Sequence, residues 1–331
     1  MKHLFIVNPL SFSKQSDVAD IISKIGHCLE GCTDDYHIHV SRFPRDGVRF
    51  VRRYLEAAAG QTVRVYAVGS DGIVFDCING MKDHANAQLA IVPYGGVYND
   101  FLRAFGESPQ ILDAFRDIKT MATAGTIATD IMSLGHRRVI NQCTLGLEAL
   151  AFYRRFDLKR KHPGLIDIFG KSIYKLIAPM AIMDKRLYNY EYEITIDGKS
   201  YDGQYVGLHI ANTGVYGGKL TPAPMAQPND GWLDIVFMRS VSRARLVGVV
   251  AKYTSGRYYT TKEKSKGGIY LGGTLRHIRG KQITVRSQHP MFINADSETH
   301  HDTNLTVTVM PGHMQIVVPD GLKYVRRPSH D

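Results

Sequence analysis

Residues 66–80 read Tyr-Ala-Val-Gly-Ser-Asp-Gly-Ile-Val-Phe-Asp-Cys-Ile-Asn-Gly. The apolar residues 63–68 predict a buried strand, and helical spacing resumes after Gly72. A strand that passes through glycines into a helix gathers unpaired backbone N–H groups and the positive end of the helix dipole at one point. Such a point suits a phosphate, and Asp71 adds a carboxylate for a metal ion or a ribose. Many α/β folds use the same turn for structure alone.

Two more strands are predicted to end in similar turns. The short apolar run 89–92 precedes residues 93–101, where Asn99 or Asp100 is available to cap a helix that continues to about Gly106. The apolar run 4–7 leads into Asn8-Pro9-Leu10-Ser11. The carboxyl ends of parallel strands share one edge of a sheet, and ligands bind at that edge in open α/β sheets. We therefore expect the three turns to form one site.

Together these turns resemble the diacylglycerol kinase catalytic-domain family of lipid kinases, in its bacterial single-chain form. The family's NPxSG, GGDGTxxEVxNG, PxGTxNDFAR and DGE motifs correspond to residues 8–12, 69–80, 93–103 and 296–298. Residues 212–214, 216–218 and 229–234 are similar to its Asn-Gly, Gly-Gly-Gly and Asp-Gly-x-Leu-Asp segments. The order and spacing agree over nearly the whole chain.

The chain departs from the family pattern in its phosphate loops. Phe12 and Ser70 replace glycines, Ile73 replaces a threonine, and Asp76 replaces a glutamate. The loop after Pro93 is one residue longer and carries Gly96 where the family has a threonine. Each lost glycine narrows the backbone angles available and adds a side chain where phosphate approaches. We expect nucleotide binding that is weaker, or shaped differently, than in typical members.

Length and periodicity predict two unlike domains in the 331 residues. Residues 1–126 alternate strands with amphipathic helices, which implies a parallel sheet in a three-layer α/β nucleotide-binding domain. In residues 127–331 the period changes to two, which predicts a β-sandwich-like domain for lipid and metal, with a helical interlude at about 166–184. The active site is expected in the cleft between the domains. Separate strands are predicted at 305–309 and 314–318.

Composition and charge limit the classes of protein. Hydrophobic residues make up 44% and charged residues 22% of the chain, as in a globular protein, and no apolar run is long enough to span a membrane. The start of the chain does not predict a signal peptide. Four cysteines show no CxxC pair and no disulfide framework, which favours reduced thiols in the cytoplasm.

The formal net charge of +10 predicts contact with an anionic surface. Basic residues cluster at 154–155 and 159–162, among aromatic residues of segment 152–156, and again at Lys262, Lys264 and Lys266. Basic and aromatic residues together suit peripheral binding to anionic lipid. An ordinary solvated face stays open as the alternative. Nucleic acid is not expected, because no motif of that class occurs.

The resemblance implies transfer of the ATP γ-phosphoryl group to an alcohol with the help of Mg²⁺. It implies Glu298 as the proton acceptor, with Asp296 close to the same site, and a structural Mg²⁺ held by Asp230 and the main-chain carbonyls of Gln227 and Trp232. A tight turn at Asp230 is the alternative to a metal site. The residues expected at the nucleotide are Asn8, Ser11, Ser41, Gly69, Ser70, Asp71, Gly72, Gly96, Asn99 and Asp100.

Three functions stay open at this point. The first is a lipid kinase that acts on diacylglycerol or a related membrane alcohol. The second is a kinase for a soluble substrate, because NAD kinases share the GGDG loop and the two-domain plan. The third is a member of the family that binds without turnover, which the lost glycines and threonine permit. The sequence does not decide between a monomer and a homodimer.

Overall fold

The computed structural model describes residues 1–12, 15–30, 34–94, 99–162, 173–188, 190–217, 219–259, 268–296 and 298–326. Its first part alternates strands and helices as expected. In chain order these are β1 (Lys2–Val7), α1 (Gln15–Leu29), β2 (Asp35–Val40), α2 (Asp46–Ala57), β3 (Val63–Gly69), α3 (Asp71–Gly80), β4 (Ala87–Pro93), α4 (Pro109–Arg116) and α5 (Ile118–Thr123). Short 3₁₀ helices cover Pro9–Ser11 and Phe101–Phe105.

The first four strands pair in parallel in the order β2-β1-β3-β4. Helix α1 buries Ile21 and Ile25, and α2 buries Val51 and Leu55, in the same core as the fully buried strand β3. Parallel strands whose two faces are covered in this way read as continuous apolar runs. The predicted α/β domain is therefore confirmed.

The second part is rich in strands and carries helices on one side. Its elements are β5 (Thr126–Leu134), β6 (Arg137–Val139), β7 (Gln142–Gly146), α6 (Leu147–Lys161), α7 (Ile173–Met183), β8 (Glu191–Ile196), β9 (Lys199–Ser200), β10 (Gly203–Ala211), β11 (Leu233–Arg239), α8 (Arg243–Thr254), β12 (Ile269–Tyr270), β13 (Leu275–Gly280), β14 (Gln282–Ala295) and β15 (Glu298–Val317). A 3₁₀ turn covers Lys185–Tyr188. A β-rich second domain is therefore confirmed.

Two details of the second part differ from the prediction. The strands predicted at 305–309 and 314–318 belong to the single strand β15, whose register shifts between Met310 and Met314. Helices α6 and α8 were not predicted. Helix α6 follows β7 directly through Gly146, where φ is 73° and an added Cβ would lie 2.4 Å from the Val206 carbonyl oxygen. Only glycine permits this turn, and period-two patterning around it hides the helix.

The last strand returns the chain to the first part. Within β15, Gln315 pairs in parallel with Gln88 of β4, and Val317 pairs with Thr126 of β5. Ile316 lies in the same core as the parallel sheet. The strands of both parts therefore form one connected sheet, in which β15 is the link. The boundary between residues 126 and 127 stays a prediction.

Candidate active site

The carboxyl ends of the parallel strands lie at one level of the sheet. Val7 pairs with Val68, and Gly69 pairs with Pro93, so that the turns after β1, β3 and β4 begin side by side. Ser41 follows β2 at the same level, and its N–H donates to the Val7 carbonyl oxygen at 2.9 Å. The structure thus brings the predicted nucleotide-binding segments together.

Ser11 joins the first turn to the second. Its Oγ accepts the Ser70 N–H at 3.1 Å and donates to Ser70 Oγ at 3.2 Å. Gly69 has φ of 139°, and an added Cβ would lie 2.6 Å from Ser11 Oγ, so glycine is required for this approach. Asn8 accepts the Leu10 N–H at 3.1 Å. In the structure Asn8 and Ser11 order the loops, and their contact with a nucleotide stays a prediction.

Two buried polar atoms near this edge have no hydrogen-bond partner in the described part of the chain, namely Ser41 Oγ and Asn99 Oδ1. The Asn99 amide instead donates from Nδ2 to the Gly69 carbonyl oxygen at 2.8 Å. Asn99 therefore ties the third turn to the second, and neither it nor Asp100 caps a helix with its side chain. Buried polar atoms without partners are costly, so both atoms fit a site that receives a polar ligand.

Helix α3 begins at an exposed position. Gly72 is exposed, and no atom of the described residues lies within 4 Å of a Cβ added there. The N–H groups of the first helical turn and the helix dipole attract an anion at this position. Ser70 has φ of −92° and ψ of 179°, an extended conformation open to any residue, so the serine does not strain the loop. These residues fit the phosphates of a nucleotide. Gly96 lies outside the described residues.

Asp71 and Asp100 form a pair of acidic residues beside α3. Asp71 Oδ1 accepts the Asp100 N–H at 3.0 Å, and Asp100 Oδ2 accepts the Gly217 N–H at 2.6 Å. Burial raises the pKa of Asp71 well above its usual range, and the neighbouring charge of Asp100 adds to this effect. A divalent cation would stabilise both carboxylates in their ionised form. The pair therefore fits Mg²⁺ at the phosphates.

Glu298 lies next to the second turn of α3. Its side chain is 43% exposed, and its Oε2 lies 3.6 Å from Arg45 Nη2. Burial and the charge of Glu298 together raise the pKa of Asp76 to about 6. Glu298 is thus an accessible carboxylate held between a cation and a second carboxylate, as a proton acceptor for an incoming hydroxyl requires. Its catalytic role stays a prediction.

Asp296 is buried, and its carboxylate is bonded to backbone N–H groups. It is 5% exposed, and its carboxylate accepts the N–H groups of Ile140 at 2.6 Å and of Asn141 and Gln142 at 3.0 Å. Burial raises the pKa of Asp296 to about 7, and these three donors oppose the shift. In the structure Asp296 positions the segment 140–142, and its predicted place in the catalytic site stays a prediction.

The predicted metal site at Asp230 does not fit a divalent cation. Its Oδ1 accepts the Trp232 N–H at 3.0 Å, and its Oδ2 is bonded to the guanidinium of Arg279. Arg279 and Lys281 lie 5.4 and 4.7 Å from the centre of the Trp232 ring. A metal would therefore meet positive charge already in place. The side-chain amide of Gln227 donates to the Val325 carbonyl oxygen at 3.2 Å, and the predicted role of the main-chain carbonyls of Gln227 and Trp232 stays a prediction.

Several residues of this region were not found by sequence reasoning. Arg45 adopts φ of 63° at the start of α2 and reaches Glu298, and no local pattern indicates that. Asp130 accepts the N–H groups of Gly231 and Gly312, each at 2.7 Å, and so fixes the Asp230 turn from a distant strand. In the described part of the chain, no group of three or more His, Cys, Asp or Glu side chains is arranged to hold a metal.

Two family models match the chain. The family model described as "Diacylglycerol kinase catalytic domain" matches residues 2–134, and the one described as "YegS C-terminal NAD kinase beta sandwich-like domain" matches residues 168–318. Together they cover most of the chain. The chain therefore belongs to the diacylglycerol kinase catalytic-domain family, in the form that carries this second domain.

Proteins of similar sequence are described as putative lipid kinases. The chain is 26% identical over 313 residues to "Putative lipid kinase SH2167" of Staphylococcus haemolyticus (strain JCSC1435), covering 93% of this chain and 94% of the relative. It is 24% identical over 327 residues to "Putative lipid kinase SaurJH9_0749" of Staphylococcus aureus (strain JH9), covering 97% and 100%.

Solved structures with the same fold come from Bacillus anthracis str. Sterne. A crystal structure described as "a putative diacylglycerol kinase" has a TM-score of 0.71 and 22% identity, and the similarity covers 97% of this chain and 96% of that one. A second crystal structure, described as a diacylglycerol kinase, has a TM-score of 0.66 and 21% identity and covers 97% and 98%. At this level of identity both bear on the fold.

Proposed function

We propose that this protein is an ATP-dependent lipid kinase that phosphorylates the hydroxyl of diacylglycerol or a related membrane alcohol. The observation that carries the proposal is the position of Asp71 and Asp100 at the open N-terminus of α3, within a family of diacylglycerol kinase catalytic domains. An anion-binding helix end beside two carboxylates is suited to phosphates together with Mg²⁺.

The first turn of α3 would receive the phosphates, and Asp71 and Asp100 would hold Mg²⁺ beside them. When bound, the metal ion supplies neutralisation of charge on the phosphate oxygens. The acceptor oxygen forms a bond to the γ-phosphorus, the bond from that phosphorus to the bridging oxygen breaks, and ADP leaves. Glu298 takes the proton of the acceptor hydroxyl, and Arg45 holds the Glu298 carboxylate near α3.

The assay that tests the proposal uses the purified protein with ATP labelled at the γ-phosphate, Mg²⁺ and vesicles of mixed lipids. Label in the organic phase is the expected result. Label in a water-soluble product would instead identify a kinase of the NAD-kinase type. Absence of label in both phases would identify a family member that binds without turnover.

Glu298→Gln tests the proton acceptor. The amide has the same shape but cannot accept the proton, so we expect the rate to fall by about 100-fold or more, with folding and ATP affinity retained. Asp302→Asn is the matched control, because Asp302 lies on the same strand and is exposed. A Glu298→Gln protein that keeps more than about a tenth of the wild-type rate would remove Glu298 from this role.

The proposed substrate requires contact with a membrane surface. None of the helices in the described part of the chain is long and apolar enough to cross a membrane. Part of the charge of the predicted basic segment 154–161 is paired within the protein. Arg154 pairs with Asp184, and Arg160 and Lys161 both lie 2.8 Å from Asp157. Lys262, Lys264 and Lys266 lie outside the described residues.

A different surface is suited to lipid. Helices α7 and α8 bury Ala181 and Leu246 in one core, so their outer sides face the same way. These outer sides, the α7–α8 face, expose the apolar residues Met180, Met183, Ala244, Val247 and Ala251. The two helices contain four Lys or Arg residues and no Asp or Glu. An apolar surface with a positive charge complements an anionic bilayer.

We expect the protein to sediment with anionic vesicles at low salt and to be released in part at about 0.5 M salt, because salt screens exposed charges. Met183→Asp combined with Val247→Asp should weaken vesicle binding by about tenfold and leave the rate on a short-chain, water-soluble alcohol unchanged. Tyr36→Asp, at an exposed position of β2, is the control. Unchanged vesicle binding in the double variant, or equal binding to neutral vesicles, would contradict this arrangement.

A further inference from the structure

A row of polar side chains crosses the second domain beneath helix α6. His209 of β10 pairs with Thr144 of β7, and Thr144 pairs with Asn294 of β14. Residues opposite one another in a sheet place their side chains on the same face. The neighbouring residues of that face, Ala211 and Phe292, belong to the core beneath the helices. We call His209, Thr144 and Asn294 the polar row.

The polar row is buried and unsatisfied. The exposed fractions of the three residues are 1%, 0% and 0%. His209 Nε2, Thr144 Oγ1 and both Asn294 amide atoms have no hydrogen-bond partner in the described part of the chain. Gln142 Oε1, two residues along β7 on the same face, is unpaired as well. Because each unpaired buried polar atom is costly, so dense a group of them indicates partners from outside the chain.

Glu148 determines the hydrogen-bonding character of one end of the row. His209 Nδ1 lies 2.8 Å from Glu148 Oε2, so the proton of a neutral imidazole lies on Nδ1 and Nε2 is an acceptor. Glu148 also accepts the hydroxyls of Tyr216 and, at 3.2 Å, Tyr253. His209, Tyr216 and Tyr253 thus occupy the Glu148 carboxylate, which is not available to a cationic ligand.

The row lies next to the candidate active site at its His209 end. Tyr216 lies over His209, with ring centres 5.6 Å apart, and the next residue, Gly217, donates its N–H to Asp100. Gln142, two residues along β7 from Thr144, donates its N–H to Asp296 at 3.0 Å. A group bound beside His209 would therefore contact Tyr216, whose neighbour Gly217 is bonded to Asp100.

We propose that the polar row binds the polar part of a neutral glyceride and so selects the acceptor; the proposal rests on the proposed lipid kinase function. Asn294 Nδ2 and the Thr144 hydroxyl supply donors for ester carbonyls. His209 Nε2 and Asn294 Oδ1 supply acceptors for a free hydroxyl. Since the row is buried, binding at its His209 end requires that Tyr216, which lies over His209, moves aside. An aminoalcohol lipid lacks the ester carbonyls and would find no unpaired carboxylate.

The test uses the full-length protein and dioctanoylglycerol, with the shift in thermal midpoint and the kinetics as separate readouts. Asn294→Leu removes both polar atoms at similar volume. Since replacing an unpaired polar group by an apolar one is neutral or stabilising, the variant should keep or raise the wild-type midpoint. It should lose the midpoint shift that dioctanoylglycerol causes, and its KM for this substrate should rise about tenfold while its KM for ATP stays within twofold.

Thr144→Val is the second variant, and it decides the question if Asn294→Leu does not fold. Thr284→Val on β14, whose hydroxyl contacts Thr306, is the control. A variant with a lower midpoint and an unchanged dioctanoylglycerol shift would overturn the proposal, because the row would then hold structural water. A wild-type midpoint that responds equally to a long-chain amino alcohol would overturn the selectivity.

Different results would contradict the lipid kinase function and the binding of a glyceride at the polar row. A midpoint shift by dioctanoylglycerol that depends on Asn294, in a protein that labels no lipid, would support the polar row and contradict the kinase function. A lipid kinase whose KM for dioctanoylglycerol is unchanged in both variants would retain the function and lose the polar row.

Discussion

Two aspartates, Asp71 and Asp230, each precede a glycine and have opposite surroundings in this protein. Asp71 lies at the N-terminus of α3 beside Asp100, and the described contacts of its carboxylate are with a backbone N–H and neighbouring acids. Asp230 lies in a turn of the second domain, where Arg279 is bonded to its carboxylate. Both positions are predicted metal or nucleotide sites in the sequence. Only the first retains an environment that favours a bound cation.

The difference lies in where the compensating charge comes from. At Asp71, burial and a second carboxylate leave negative charge that a divalent ion can neutralise. At Asp230 burial raises the pKa, and the positive charge of Arg279 opposes the shift. The protein itself thus supplies the cation at one site and leaves it to a ligand at the other. The same residue type can therefore be a ligand or a structural anchor.

The largest expected effect is that of Asp71→Asn. If Asp71 holds Mg²⁺, the rate of phosphoryl transfer should fall by about 100-fold or more. The folded-state pKa of Asp71 is raised, so its ionised form destabilises the protein above that pKa. The variant should therefore have a thermal midpoint higher by about 1–3 °C at pH 8.

Asp83→Asn, at an exposed position after α3, is the control and should change neither quantity. An Asp71→Asn protein with a lower thermal midpoint and a normal rate would contradict the proposal that Asp71 holds a cation. Asp71 would then be a structural residue, as Asp230 is.

A smaller effect is expected from Arg279→Ala. Removing one partner of a half-buried ion pair leaves Asp230 uncompensated and should cost about 2 kcal/mol of unfolding free energy. In the wild-type protein, neither Mg²⁺ nor EDTA should change the emission of Trp232, the single tryptophan of the chain. In the variant, Mg²⁺ should restore part of the stability and change this emission.

Lys281→Ala is the matched control, since Lys281 also lies over the Trp232 ring. In the Lys281→Ala protein, as in the wild type, Mg²⁺ should change neither the stability nor the emission of Trp232. A wild-type protein whose Trp232 emission responds to Mg²⁺ would restore the predicted metal at Asp230 and remove the contrast between the two aspartates.

The smallest effect is expected from a change of Asp76. This residue lies on α3, near the negative charge of Glu298 and the positive charge of Arg45. Its folded-state pKa of about 6 exceeds the usual value of 3.8, so the wild-type protein loses stability as the pH rises through 6. Asp76→Asn should therefore be more stable than wild type by about 1 kcal/mol at pH 8, a figure reduced for partial exposure. The difference should vanish at pH 3, below the unfolded-state pKa. Denaturant unfolding at the two pH values checks this, and an equal difference at both would show that ionisation is not the cause.

The sequence alone determines the class of fold and the edge at which the site lies. Apolar runs of strand length before Asn8, Gly69 and Pro93 predict three parallel strands, and chain direction alone then places their turns at one edge. The motif order predicts the family. These inferences rest on local patterns, each of which lies within one short segment of the chain.

The tertiary structure decides what each carboxylate does. Asp296 binds the N–H groups of residues 140–142, Asp100 binds the Gly217 N–H, and Asp230 binds Arg279. These partners are separated by about 50 to 155 positions in the chain, and no local spacing encodes such contacts. The charge state and role of a carboxylate depend on burial and on the charges within a few ångströms, and both exist only after the chain has folded.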